Sequence, residues 1–241
     1  MVPNSLIGTI ASTDEDCKSA LETSLVPLYT QLDTFRSHLD AVIGLVVQNA
    51  SEWQLVFKGV ARTGVGLYNM WTAASWDDNT MGVNGSWRDE SLHDGWKSGE
   101  LSVRRVNLSL YGSEGDRVDL IFNGTGTDIH SWFTQERLIS SPWQDLNSSA
   151  TPNYFSIEGD KSKDRHFVIN NNYGGCGVDK GWLVVTNSNS SIDCAWERPA
   201  TEYTYPIMYS RLESKVRWHS VLGAGDVTVG LADFLTIQID T

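Results

Sequence analysis

The sequence predicts an α+β protein: an N-terminal helical segment of coiled-coil character, residues 1–51, followed by a β-rich mixed domain, residues 52–241. Three observations carry this. Leu21, Leu25, Leu28, Leu32, Phe35, Leu39, Val42 and Val46 recur at a 4-3 spacing that traces one seam along a helix. From Trp53 onward the period shortens, and runs of β-branched and aromatic residues alternate with Gly, Asn, Asp and Ser. No repeat of 20–50 residues is visible, so the second part reads as one domain.

Residues 1–11 read as a loose leader. In "STDE", Ser12 precedes Glu15 by three places, the signature of a capping box, so a helix is expected from near Thr13 to Val47. Pro27 lies inside it and predicts a kink, because proline removes a hydrogen bond at a cost of about 3 kcal/mol. Between Leu28 and Leu39 the residues flanking the seam are polar, apart from Tyr29. That narrow stripe favours pairing between chains over packing on the helix's own domain. Ile43, Leu45 and Val47 broaden the apolar surface at the far end.

Six segments then read as strands: "WQLVFKG", "LSVRRVNLSLYG", "RVDLIFNG", "RHFVIN", "GWLVVT" and "ADFLTIQID". The last reaches the C-terminus and is expected to pair inside the sheet, since an unprotected terminal strand frays. "WDDNTMGVNGSWRDESLHDGW" reads as a long irregular loop, and "GTGTD" at 124–128 as a turn.

A formal net charge of −12, with 30 acidic against 18 basic residues, argues against nucleic acid or anionic membranes as partners. The longest apolar run, Ala41 to Val47, is too short to span a bilayer. The first 17 residues lack the basic start and apolar stretch of a signal peptide. Six glycosylation sequons, at Asn49, Asn84, Asn107, Asn123, Asn147 and Asn189, nevertheless predict a secreted, extracellular glycoprotein whose signal peptide has been removed.

Three cysteines leave one over. In an oxidising compartment Cys176 and Cys194 are expected to pair, and Cys17, just ahead of the helical seam, to bond a second chain. The histidines show no metal-ligand spacing, and no phosphate-binding or nucleophile motif is present. Asp77 with Asp78, or Asp89 with Glu90, could form a glycosidase pair, but an acidic chain offers such pairs by chance. No cofactor or metal is expected, and an enzyme is the least favoured reading. Ten tryptophans call for a reason. Most are expected in the core, while Trp76, Trp87 and Trp96, in polar surroundings, are candidates to contact a ligand.

The succession "WQLVFKGVARTGVGLYNMW", "WFTQERLISSPWQDL", "YGGCGVDKGWLVV" and "CAWE" resembles a secreted glycoprotein domain of molluscs and other marine invertebrates. No settled biochemical role attaches to that domain. A looser likeness links the "W.LV" opening and the preceding helical seam to fibrinogen-related and intelectin-type recognition proteins. Those oligomerise through N-terminal cysteines, but the present chain departs from them. It has two cysteines in the domain rather than two disulfides. Its nearest acidic loop, "GDKSKD", places Lys161 and Lys163 between Asp160 and Asp164, which weakens any transfer of calcium binding. Taken with the seam, the sequons and the tryptophans, the expectation is a secreted homo-oligomer, paired through its N-terminal helix, whose β-rich head is a multivalent, lectin-like binder with carbohydrate as the candidate ligand, or else a structural component of extracellular fluid, matrix, mucus or egg coat.

Overall fold

The computed structural model describes residues 53–113, 115–187, 194–198, 205–223 and 227–241, together with Leu25, Gln31, Leu32, Phe35 and Arg36. Residues 1–52 and 53–241 are separate compact units. In the second, eleven strands form one antiparallel, curled sheet. They are β1 (Gln54–Val60), β2 (Trp87–Arg88), β3 (Arg105–Gly112), β4 (Arg117–Asn123), β5 (Leu138–Ser140), β6 (Tyr154–Ser156), β7 (Arg165–Asn172), β8 (Lys180–Thr186), β9 (Ile207–Ser210), β10 (Val216–Arg217) and β11 (Val229–Asp240). The order is β5-β4-β3-β11-β9-β8-β7-β6, with β1 beside β11, β2 beside β1 and β10 beside β8.

Among the described residues two α-helices accompany the sheet, α1 (Leu67–Thr72) and α2 (Glu90–Ser98). The α+β expectation is therefore corrected: the fold is mostly β, and an extended N-terminal helix is not among the described elements. Of the eight seam residues only Leu25, Leu32 and Phe35 are described, each helical and exposed; Cys17 and the other five lie outside the described residues. A 4-3 spacing reports amphipathicity along a local stretch and does not by itself set the class of the whole fold. The six expected strands fall on β1, β3, β4, β7, β8 and β11. The strands that pattern reading missed have two to four residues, too few to show a period.

The C-terminal strand organises the sheet. β11 lies against β3 from Ala232 to Asp240, while its other edge meets β9 at Val229–Ala232 and β1 at Phe234–Ile239. Alternation sorts its two faces. Leu235, Ile237 and Ile239 are fully buried in the core, and Phe234, Thr236 and Gln238 lie on the opposite face with Tyr111, Ser109 and Asn107 of β3, where Thr236, Ser109 and Asn107 are buried as well.

In the other half of the sheet alternation disappears for a physical reason. Phe167, Ile169, Leu183, Val185 and Ile207 enter the main core. Val168, Val184 and Met208 enter a second cluster with Trp196 and Trp218 on the opposite face. Strands covered on both faces read as unbroken apolar runs, which is why "WLVV" shows no period. Seven of the ten tryptophans are buried in these two clusters, so the aromatic excess is mainly core.

The segment expected to be an irregular loop instead holds β2 and α2. Asp89 caps α2 by accepting the Leu92 N–H at 3.0 Å, and Gly99, at φ 80°, ends it in the left-handed conformation. Arg88 of β2 caps α1 from the other end: its buried Nη1 donates to the carbonyls of Met70, Trp71 and Ala73 at 3.0–3.1 Å.

Candidate functional site: two grooves meeting at Trp143

The sheet path ends at β5, and the chain leaving it is stapled to the loop between β9 and β10. Gln144 N–H donates to the Glu213 carbonyl at 2.7 Å, and the Trp143 indole donates to the Ser210 carbonyl at 3.0 Å. Asp145 receives the Trp182 indole N–H at 2.6 Å and the Lys215 backbone and ammonium groups at 3.1 and 3.0 Å. Burial pushes the Asp145 carboxyl up, but these donors outweigh it and hold the group below its ordinary value. Asp145 is therefore a fixed anionic clasp.

Two surface grooves flank this clasp and share Trp143. One, of about 640 Å³, runs along β5 between Ile139 and Asn147. The other, of about 530 Å³, lies between the start of β4 and the β9–β10 loop. Both volumes fall within the range of small-molecule sites. In the second groove Asp116 Oδ2 accepts the Tyr209 hydroxyl at 3.0 Å and pairs with Arg211 Nε at 2.7 Å. Burial, reinforced by Asp116, pushes the Tyr209 phenol up to about 12, so at neutral pH it stays a donor. Oδ1 of Asp116 makes no bond among the described residues and is a fixed acceptor beside a cation. Such a fork orients hydroxyl groups. Ile139, Leu212 and Val227 add exposed apolar rims, at 59%, 46% and 68% exposure.

The expected ligand tryptophans are not brought together. Trp96 is fully buried, its indole donating to the Thr127 carbonyl at 3.0 Å, and it has no surface left to offer a ligand. Trp76 packs against the core and donates to Asp78 at 2.7 Å, with the Arg88 guanidinium over its ring. Only Trp87 is open, at 41% exposure, opposite Lys58. The candidate acid pairs hold local structure: Asp77 accepts from Asn79 and Thr80, Asp89 caps α2, and Glu90 pairs with Arg88.

Cys176 and Cys194 form a disulfide. Of the sequons, Asn84, Asn123 and Asn147 are exposed, whereas Asn107 is 6% exposed in the middle of β3, a strand interior rather than the accessible turn expected. Asn49 and Asn189 lie outside the described residues. No group of three or more His, Cys, Asp or Glu that could hold a metal occurs among the described residues. No described helix is long and apolar enough to cross a membrane.

Compared with protein-family models, curated proteins and solved structures, the chain finds no match. The Trp143 grooves were not legible in the sequence, since their residues come from four separated stretches. The "SPW" at 141–143, a turn signal ahead of a large aromatic, is the one local cue.

Proposed function

We propose that the protein is an extracellular recognition protein that binds carbohydrate in the grooves flanking Trp143. The observation that carries this reading is the Asp116–Arg211–Tyr209 fork. It sets a carboxylate oxygen and a guanidinium side by side in a groove with apolar rims, the combination that suits hydroxyl groups on an apolar ring. An intrachain disulfide fits an oxidising compartment, and exposed Asn84, Asn123 and Asn147 fit a glycoprotein. Leu32 and Phe35, each 69% exposed, supply apolar surface for self-association, which would multiply a weak single-site affinity. A glycan array tests the reading: binding should centre on one sugar class and fall when Asp116 is replaced by Ala.

A second reading rests on Ile139, Leu212 and Val227. Three exposed apolar side chains along adjoining grooves also fit packing against a protein neighbour in an extracellular matrix. An array without any sugar preference, together with self-assembly reduced by Val227→Asp, would favour that reading.

A further inference from the structure

Beside the disulfide loop, at residues that line neither Trp143 groove, two basic side chains face each other without a counter-charge among the described residues. Arg217 of β10 stands directly across from Lys180 of β8. The adjoining bond from the Trp218 N–H to the Asp179 carbonyl, 3.1 Å, places them at a non-hydrogen-bonded position, where opposed side chains approach most closely. Like charges there destabilise a sheet. Neither side chain has an ion pair or side-chain hydrogen bond among the described residues. The neighbouring carboxylate, Asp179, is buried and taken up by Arg165 and the Gly175 N–H. In a chain with 30 acidic residues, two facing cations left unbalanced among the described residues call for an anion from outside.

The surroundings form a place for one. Arg217 and His219 line a depression of about 310 Å³ with Gly177, Ser220 and Leu222. A side chain on Gly177 would meet nothing within 4 Å, so the floor is open. The imidazole and the Ser220 hydroxyl carry no bond among the described residues. Leu222, 39% exposed, adds an apolar contact. The volume lies at the small end of ligand sites and suits a group of about one sugar ring.

We propose that this depression binds the anionic group, a carboxylate or a sulfate ester, of a small ligand. Arg217 supplies the charged donor, Lys180, opposite it at the rim, adds positive charge, His219 and Ser220 add hydrogen bonds, and Leu222 packs against the ligand's apolar part. The site shares no lining residue with the Trp143 grooves and does not depend on what those bind.

The experiment titrates the full chain with galactose-6-sulfate, N-acetylneuraminate, inorganic sulfate and neutral galactose by calorimetry. Thermal unfolding of the same protein is followed with and without sulfate. At least one charged probe should bind, about tenfold more weakly to Arg217→Gln, as expected for loss of a charge-assisted bond. The sulfated and carboxylated arms identify the anionic group. Lys180→Gln should unfold at a higher temperature than the parent without anion, because the repulsion is relieved. It should then gain less from added sulfate than the parent does. General salting effects move both proteins alike and cancel in that comparison. Equal binding by parent and Arg217→Gln, or no binding of any charged probe, would overturn the proposal. So would a Lys180→Gln variant no more stable than the parent.

Discussion

The guanidinium of Arg165 and the carboxylate of Glu197, 32 positions apart, meet at 2.8 Å with neither side chain more than 4% exposed. The same guanidinium reaches Asp179 at 3.3 Å and the Cys194 sulfur at 3.4 Å, and lies between the rings of Tyr173 and Trp196 at 4.6 and 4.5 Å. Glu197 in turn accepts the Cys194 N–H at 2.6 Å. Arg165 thus ties both ends of the disulfide-bearing region to β7. Burial works against the guanidinium's charge, but Glu197 first and Tyr173 second hold its pKa above the ordinary value.

Removing that cation leaves two buried carboxylates uncompensated. Arg165→Met should cost roughly 3–5 kcal/mol in urea unfolding at neutral pH. Arg165→Lys should recover little of it, since an ammonium cannot serve three directions in one plane. A lysine variant as stable as the parent would mean the node contributes little.

The disulfide should contribute separately. Closing a loop with a sequence separation of 18 stabilises by about 3 kcal/mol in the chain-entropy model. Cys176→Ser should lose about that amount, and non-reducing peptide maps should recover Cys176 and Cys194 in one fragment. Because Arg165 touches Cys194, the losses in an Arg165→Met, Cys176→Ser double variant should not add.

His166 predicts a pH response. Its ring stacks on Tyr68 at 3.9 Å, its Nδ1 bonds the Glu158 carbonyl at 2.7 Å, and Asp164 is the nearest carboxylate at 4.0 Å. Burial dominates and lowers its pKa to about 4. The unfolded chain therefore takes up the proton first. Stability attributable to this group is full above pH 6.5 and declines as pH falls toward 4, by up to roughly 3 kcal/mol. His166→Asn keeps a donor near the carbonyl but cannot titrate, so its stability should fall less between pH 7 and 4.5. Parallel curves for variant and parent would remove His166 as the cause.

Glycan occupancy should follow accessibility in the folded chain. Mass spectrometry of material from a secretory host should find Asn84, Asn123 and Asn147 modified. Asn107 should stay bare, because it sits between β11 and β4 with its amide 3.4 Å from Gln238. A glycan at Asn107 would contradict the register of β3, and bare asparagines throughout would contradict the secreted reading.

How much of this was legible depended on how each element is buried. β3 and β11 announce themselves by alternation, because one of their faces is polar. β8 is visible as an apolar run covered on both sides. β2, β5, β6 and β10, of two or three residues, carry no period. α2 hid because only His93 and Trp96 of its nine residues are buried and Gly95 interrupts it, although Asp89 and Gly99 mark its ends. Trp76, Trp87 and Trp96 looked alike in sequence, yet one is half-buried, one open and one in the core. Arg165 at the head of "RHFVIN" reads as a surface cation, since nothing local shows that Asp179 and Glu197 come to meet it.

The central claim is that the Trp143 grooves bind carbohydrate, and the most direct measurement is calorimetric titration of the strongest array sugar into parent and Asp116→Asn protein. The substitution keeps the shape of the side chain while removing the charge beside Arg211. A lost charge-assisted hydrogen bond predicts binding about tenfold weaker, with Cys176–Cys194 pairing unchanged. Unaltered affinity in a folded Asp116→Asn variant, or no sugar bound by the parent at millimolar concentration, would contradict it.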